Sequence, residues 1–215
     1  MLCTLLLMFG LALHSLGAAE PPPGVERPSD EAKLRSLIGK PKTTSASVTP
    51  IDRGGKVWCA TKAECEGVFH EPLDKIQAIL RNHEAYPQYF SRITTNTVER
   101  HDGRIIEHQV MSLNVLGVIY RNVYTLDGEE TVLDNPRRLL NQWGQGASDG
   151  TVEGIEGLWY LEEFTMDGDT YTYARYRIKS EVPQIIPGQS GLMMLFLGDS
   201  LVQSMLEVIR AAHKS

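Results

Sequence analysis

Six histidines are the first residues to consider for metal or acid–base chemistry, and their spacing is not that of a metal site. None of them stands in a His-x-His or a His-Glu-x-x-His pattern. The chain also lacks a Gly-x-Ser-x-Gly nucleophile motif and a Walker phosphate-binding loop. The sequence therefore predicts no metal site and no cofactor.

Four charged or titratable residues in predicted strands are candidates for catalysis or for binding an acidic group. Glu107 and His108 are adjacent, and because neighbouring strand residues point to opposite faces, only one of them can enter an interior. Arg121 and Arg175 suit a carboxylate, since a guanidinium can bind it through two parallel hydrogen bonds. A solvated strand face is the simpler interpretation for all four, so catalysis stays open.

Aromatic and apolar residues at strand or helix spacing form a candidate ligand-binding set. This set comprises Tyr120, Trp143, Trp159, Tyr173, Arg175, Met194, Leu197 and Leu201. Small-molecule cavities are mostly apolar and aromatic, but ordinary packing between a sheet and a helix uses the same residue types. Residues 192–197 are apolar on all sides, which indicates either a mobile gate that touches ligand or membrane, or a buried helix start.

Cys59 and Cys65 are the two cysteines outside the first residues of the chain. In an oxidising compartment we expect them to form a disulfide that closes a short loop, which would contribute about 2 kcal/mol. The alternative is a pair of free or buried thiols. No further histidine or cysteine stands near them at metal-ligand spacing.

The elements that position these residues are predicted from periodicity. The predicted domain starts near Lys56, and residues 65–70 read as a first strand, followed by a helix that starts at Pro72 and a short helical piece around Pro87. Residues rich in β-branched and aromatic types, separated by turn sequences, then predict an antiparallel meander over 92–100, 104–115, 118–126, 138–145, 153–165 and 170–182. A long amphipathic helix follows over about 190–212, where Gly198 indicates a close backbone approach or a kink.

The N-terminal quarter has a different composition. Residues 1–19 contain no Lys, Arg, Asp or Glu and read as the apolar region and cleavage site of a signal peptide, although the usual positive start is missing. An uncleaved membrane anchor is the alternative. Residues 20–55 hold six of the eleven prolines and are interpreted as a flexible linker, with one or two helical turns over 30–38 capped by Ser29 or Asp30. Residues 56–215 form the predicted domain.

The charge distribution limits the partners. The net charge of the chain is −6, and because residues 20–56 are slightly basic, the remainder carries −8. A nucleic-acid-binding domain would show a clustered basic surface, so that class is excluded. An acidic domain is also repelled by anionic lipid, so membrane contact would have to be transient and apolar.

Two stretches resemble the START-like superfamily, also called the polyketide cyclase/dehydrase or SRPBCC superfamily. They are residues 68–80 followed by the turn with Tyr86, Pro87, Tyr89 and Phe90, and the closing part with Trp159, Pro183, Pro187 and the final helix. The resemblance covers about residues 65–212. It implies an α+β helix-grip fold, in which a curved antiparallel sheet of about six to seven strands wraps around the C-terminal helix, with two short helices after the first strand.

The resemblance also implies a deep apolar cavity, which members use to bind lipids, sterols, polyketides or plant hormones and, in a minority, for catalysis. We therefore expect an exported, periplasmic or secreted protein that encloses a hydrophobic small molecule or lipid. The alternatives are a cyclase, dehydratase or hydrolase acting on an apolar substrate in the same cavity, and an interaction module whose interior is collapsed. No oligomeric state is predicted.

Overall fold

The computed structural model describes residues 21–101, 104–115, 118–185 and 188–214; within these ranges the side chains of residues 113–115, 118 and 120 are not described. In chain order the elements are α1 (Glu31–Leu37), β1 (Lys42–Arg53), β2 (Lys56–Phe69), α2 (Leu73–Arg81), a 3₁₀ turn (His83–Ala85), α3 (Tyr86–Tyr89), β3 (Ile93–His101), β4 (Arg104–Val115), β5 (Val118–Leu133), β6 (Arg138–Ser148), β7 (Glu153–Met166), β8 (Asp169–Pro183) and α4 (Gln189–Lys214).

Within the described ranges, eight strands form one antiparallel sheet in the order β1-β2-β8-β7-β6-β5-β4-β3. The sheet curves around α4, which lies against β1, β2 and α2. This arrangement confirms the predicted α+β helix-grip architecture, with slightly more strands than expected. Gly198 lets α4 approach the sheet closely, because a Cβ atom there would lie 2.8 Å from Oγ1 of Thr43.

The additional strand lies in the segment that was interpreted as a flexible linker. That interpretation is wrong for α1 and β1, since β1 pairs with β2 from Lys42 opposite Glu66 to Arg53 opposite Lys56. The side chains of β1 are mostly exposed, so the strand is held by backbone pairing rather than by apolar burial. Pro50 is tolerated because β1 is an edge strand.

The helical turns expected over residues 30–38 are confirmed as α1. Asp30 caps this helix, with its carboxylate accepting a hydrogen bond of 3.2 Å from the backbone N–H of Lys33. Val25, Leu34 and Leu37 are fully or almost fully buried against the outer face of the sheet. The folded unit therefore extends well before residue 56. The predicted signal peptide at residues 1–19 lies outside the described residues.

The two largest apolar clusters of the described residues lie on opposite faces of the sheet. On β2, Ala63, Cys65 and Phe69 point inward to α2 and α4, while Val68 points outward to α1. This alternation follows from the two-residue period of a strand. The inner face is the concave one, and the side chains of the adjoining strands β6, β7 and β8 alternate in the same way.

The predicted disulfide is wrong: Cys59 and Cys65 are both free and buried. They lie six residues apart on the same strand, β2, which separates their Cα atoms by about 20 Å at 3.3 Å per residue. A disulfide requires Cα atoms less than about 7 Å apart. The prediction assumed that this stretch forms a loop, and the extended backbone excludes that.

Candidate functional site

A cavity of about 260 Å³ lies between the concave face of the sheet and α4. Part of its wall is aromatic: the rings of Trp159 and Tyr176 are stacked with centroids 4.3 Å apart, and the ring centroid of Trp143 lies 6.0 Å from that of Tyr176. Leu197 and Leu201 close the cavity from α4. The volume of about 260 Å³ is slightly below the range for small-molecule sites, about 300–1,000 Å³.

The predicted ligand-binding residues divide between the two faces of the sheet. Trp143, Trp159, Leu197 and Leu201 line the cavity; their binding of a ligand stays a prediction. Met194 does not line it, because its side chain is 45% exposed on the outside of α4. The side chain of Tyr120 lies outside the described part of the structure.

Tyr173 and Arg175 point to the outer face, so their prediction as cavity residues is wrong. Arg175 binds Glu64 and Glu66, with Nη1 2.8 Å from Oε2 of Glu66, and the Tyr173 hydroxyl donates to the same oxygen at 3.1 Å. The sequence correctly placed the two on one strand face, but that face carries α1. Their role is structural, in a buried charge network.

This network also sets the ionisation of Glu64. Burial raises the pKa of this carboxyl, but the hydrogen bond from Arg177 and the charges of Arg175 and Arg177 lower it, and the net pKa is below the ordinary value. The network thus holds Glu64 as a carboxylate on the outer face of the sheet. Lys33 of α1 adds a further contact, with its Nζ 2.8 Å from Oε1 of Glu66.

The end of the cavity formed by β3, β4 and β5 is polar. Glu107 is 7% exposed and lines the cavity; its Oε2 accepts hydrogen bonds from Asn96 at 2.6 Å and from Gln109 at 3.1 Å. The Tyr124 hydroxyl donates to the side-chain oxygen of Gln109 at 3.1 Å. Burial and the charge of Glu107 raise the pKa of Tyr124, so its phenol stays protonated as a donor.

His83 completes this polar end from the 3₁₀ turn. It is 3% exposed, and its Nδ1 lies 3.1 Å from Oε1 of Glu107. The contact is not aligned as a hydrogen bond, and within the described residues neither ring nitrogen has an aligned partner. A histidine beside a carboxylate that faces a cavity is an arrangement suited to proton transfer.

Of the four residues considered for catalysis, Glu107 is the one that faces the cavity. His108 points away and lies 3.2 Å from Glu99 at the surface, and Arg121 is exposed. Sequence reasoning favoured a solvated face for Glu107 and did not single out Asn96, Gln109 or His83. The alternation of Glu107, Gln109 and Met111 on β4 was the signal for one polar face, but it did not show that this face is concave.

One arginine of the cavity wall was not foreseen. Arg92 follows α3, is half-buried and lines the cavity together with Phe90 and Ile93. Glu207 of α4, which also lines the cavity, accepts hydrogen bonds from the Ser91 hydroxyl at 2.6 Å and the Gln203 amide at 3.1 Å. The cavity thus has an apolar wall and two groups of polar side chains.

The start of α4 presents apolar side chains to solvent. Met194, Leu195 and Phe196 are 45%, 69% and 45% exposed, and Ile185 just before the helix is 64% exposed. The interpretation of residues 192–197 as a buried helix start is therefore wrong. By length and hydropathy alone, α4 passes the criterion for a membrane-crossing helix, a criterion that core helices of soluble proteins also meet.

A wider hollow of about 810 Å³ is open to solvent on the outer face of the sheet. Its charged side chains pair with one another, as in the contacts of Arg104 with Asp127 and of Lys179 with Glu156. Because most of these charges are already paired, the inner cavity is the stronger candidate site. Across the described residues, no group of three or more His, Cys, Asp and Glu side chains is placed to hold a metal ion.

Solved structures similar to this chain include two lipid transfer proteins and an aromatase/cyclase. The STAR-related lipid transfer protein from Xanthomonas axonopodis matches 78% of this chain and 99% of its own, with a TM-score of 0.58 and 11% identity. Human StAR-related lipid transfer protein 5 matches 78% of this chain and 87% of its own, with a TM-score of 0.60 and 7% identity.

An aromatase/cyclase, Zhui from a Streptomyces species, matches 72% of this chain and 94% of its own, with a TM-score of 0.51 and 15% identity. No protein-family model and no curated protein matches the sequence. At these identities the likeness establishes the START/SRPBCC-like fold, as the sequence resemblance predicted.

Proposed function

We propose that the protein binds a hydrophobic small molecule or a single-chain lipid in the cavity between the sheet and α4. The observation that carries this proposal is the cavity itself, with Trp143, Trp159 and Tyr176 on one side and a hydrogen-bonding end at Glu107. Each 100 Å² of apolar ligand surface buried there contributes about 2.5 kcal/mol before the cost of association. The named lipid transfer proteins with this fold support the proposal.

A cavity-filling variant tests this function. Leu197→Trp places a larger ring into the cavity from α4, and we expect it to abolish binding of a fluorescent fatty-acid probe. Asp199→Trp is the matched control, because Asp199 is exposed on the same helix, and it should bind the probe normally. Lipid extraction and native mass spectrometry of the purified full chain should also release or show a bound ligand. The proposal fails if the unmodified protein is empty and binds no apolar probe.

A second function, acid–base catalysis on an apolar substrate, is favoured by Glu107 and His83. Their side chains meet at 3.1 Å, and Glu107 faces the cavity. Glu107→Gln preserves the size of the side chain and removes the proton acceptor. If the protein is an enzyme, this variant retains ligand binding and loses turnover; if the protein only binds, the bound ligand is recovered chemically unchanged from both forms.

We further propose that the ligand enters or leaves at the start of α4 during transient contact with a membrane. Met193 and Leu197 line the cavity, whereas Leu195 and Phe196 between them face solvent. The same turn of α4 therefore contacts both the cavity and the solvent. Leu195→Asp should slow transfer of a fluorescent lipid from neutral phosphatidylcholine vesicles without changing the affinity for a soluble probe, and unchanged transfer would refute this route.

Export remains part of the proposal and rests on the sequence of residues 1–19. Expression of the full chain followed by cell fractionation and N-terminal sequencing is the test. A mature protein that begins near residue 20 in an extracytoplasmic fraction supports a cleaved signal, and an intact chain in the membrane fraction supports an anchor.

A further inference from the structure

Arg92 is a partly buried arginine of the cavity wall that, among the described residues, has no anionic partner. Arg27, Arg175 and Arg177 each place a guanidinium nitrogen within 2.8 Å of a carboxylate oxygen. Arg92 is half-buried in the cavity wall. Within the part of the chain that the structure describes, its guanidinium takes part in no ion pair and no side-chain hydrogen bond.

The carboxylates of the cavity are engaged elsewhere. Glu107 accepts hydrogen bonds from two amides and contacts His83, and Glu207 accepts from Ser91 and Gln203. Among the described contacts of these two carboxylates, none is an ion pair with Arg92. Removing a cation from water without giving it a counter-charge costs free energy. Among its described residues the protein places no anion beside Arg92, so a ligand with an anionic group would supply one.

A second donor, the Tyr176 hydroxyl, belongs to a residue that lines the same cavity as Arg92. Burial raises the pKa of the Tyr176 phenol and the charge of Arg92 lowers it, with the net result well above the ordinary value. The hydroxyl of Tyr176 is therefore a protonated donor on the cavity wall. An arginine fork and a phenol are both suited to the oxygens of a carboxylate, and hydrogen bonds to a charged acceptor are the strong ones.

We infer that the ligand carries a carboxylate, which Arg92 binds, at the end of one apolar chain or small ring system. This inference rests on the proposed function and names its ligand class. The cavity volume of about 260 Å³ favours a compact anionic group and one chain over a two-chain phospholipid. In this arrangement the aromatic wall binds the apolar part, and Arg92 fixes its orientation.

The test compares two probes of equal chain length, dodecanoate and dodecanol, in calorimetric titrations of the full chain. Because a hydrogen bond to a charged group contributes about ten-fold or more in affinity, the unmodified protein should bind dodecanoate at least about ten-fold more tightly than dodecanol. Arg92→Gln should weaken dodecanoate to the level of dodecanol and leave dodecanol unchanged. Arg121→Gln, which removes an exposed arginine from the other face of β5, is the matched control and should keep the preference.

The outcomes separate this inference from the proposed function. Equal binding of the two probes by the unmodified protein overturns the carboxylate inference and leaves the cavity function intact. Absence of binding for both probes overturns the function as well. Dodecyl phosphate tests which anionic group is recognised. If the unmodified protein binds dodecyl phosphate but not dodecanoate, the assignment to a carboxylate is overturned. The comparison in the unmodified protein decides the inference even if Arg92→Gln does not fold.

Discussion

Gly157→Ala tests whether the wall of the cavity is built around a glycine. Gly157 on β7 stands directly opposite Trp143 on β6, and the indole ring lies over it. A Cβ atom at position 157 would come within 2.3 Å of Cζ2 and 2.4 Å of Cε2 of that ring. These distances are far below van der Waals contact, so Trp143 must leave its position when the methyl group is added.

Two opposing effects determine how much Gly157→Ala changes the free energy of unfolding. Replacing glycine by alanine in a strand stabilises the fold by about 0.5–1 kcal/mol through the unfolded chain. Overpacking a filled site costs about 1–3 kcal/mol. We expect a net loss of about 1–2 kcal/mol in the free energy of unfolding, together with weaker binding of an apolar probe, because the displaced ring also lines the cavity.

Gly144→Ala is the matched control, since Gly144 follows Trp143 on β6 and a Cβ atom there would meet nothing within 4 Å. This variant should be as stable as the unmodified protein or about 0.5–1 kcal/mol more stable. Urea unfolding followed by tryptophan fluorescence measures both variants. If Gly157→Ala is as stable as Gly144→Ala and binds the probe equally well, the position of Trp143 described above is wrong.

Three further predictions concern the buried polar groups and the thiols. Glu107→Ala leaves the amide donors of Asn96 and Gln109 without their acceptor, so urea unfolding should show a loss of about 2–3 kcal/mol; a loss below about 0.5 kcal/mol would contradict this network. Because the pKa of Glu64 is lowered in the fold, its contribution is present above the ordinary value of about 4.3 and is lost as the pH falls through the lowered pKa. Glu64→Gln should therefore lower stability near neutral pH and flatten its decline in acid, whereas an unchanged decline would count against the network. Burial raises the pKa of both Cys59 and Cys65, so neither should react with a thiol reagent until the protein is unfolded, and a mass two daltons low under non-reducing conditions would show the disulfide after all.

Local periodicity was sufficient to predict the parts of the fold that depend on neighbours in the sequence. The alternation in β4 to β8 and the three- and four-residue spacing in α4 are properties of each segment alone. The Asp30 cap is equally local, and α1 begins where that signal stands. The START-like architecture then follows from the order of these elements and from the motifs that carry the resemblance.

Strand β1 was missed because its stabilisation comes from a distant part of the fold. Its side chains are mostly exposed, so composition alone indicates a segment that cannot order itself. The strand is fixed by hydrogen bonds to β2 and by α4, which packs on it from the other end of the chain. The prediction of a disulfide between Cys59 and Cys65 was wrong for a related reason. Their separation in sequence suits a loop, but the backbone between them is extended, which keeps the two thiols too far apart to pair.

The assignment of faces limited the prediction of the site. Strand alternation correctly grouped Tyr173 with Arg175 and separated Glu107 from His108. Alternation cannot tell which group faces the ligand, because that depends on the side from which α4 closes the sheet. The structure places α1 on the outer face and α4 on the inner one, which makes Arg175 structural and brings Glu107 into the cavity.

The assignment of residues to the two faces of the sheet also explains why Arg92, rather than Arg175, is the arginine to test for ligand binding. Both are only partly exposed, and a guanidinium on either could recognise a carboxylate. Arg175 already has Glu64 and Glu66 as partners, so an incoming anion would have to displace them. Arg92 lines the cavity, and in the proposed complex the carboxylate of the ligand is its counter-charge. Since binding energy depends on the difference between the free and the bound state, the arginine without a partner contributes more to affinity and to selectivity for an acid.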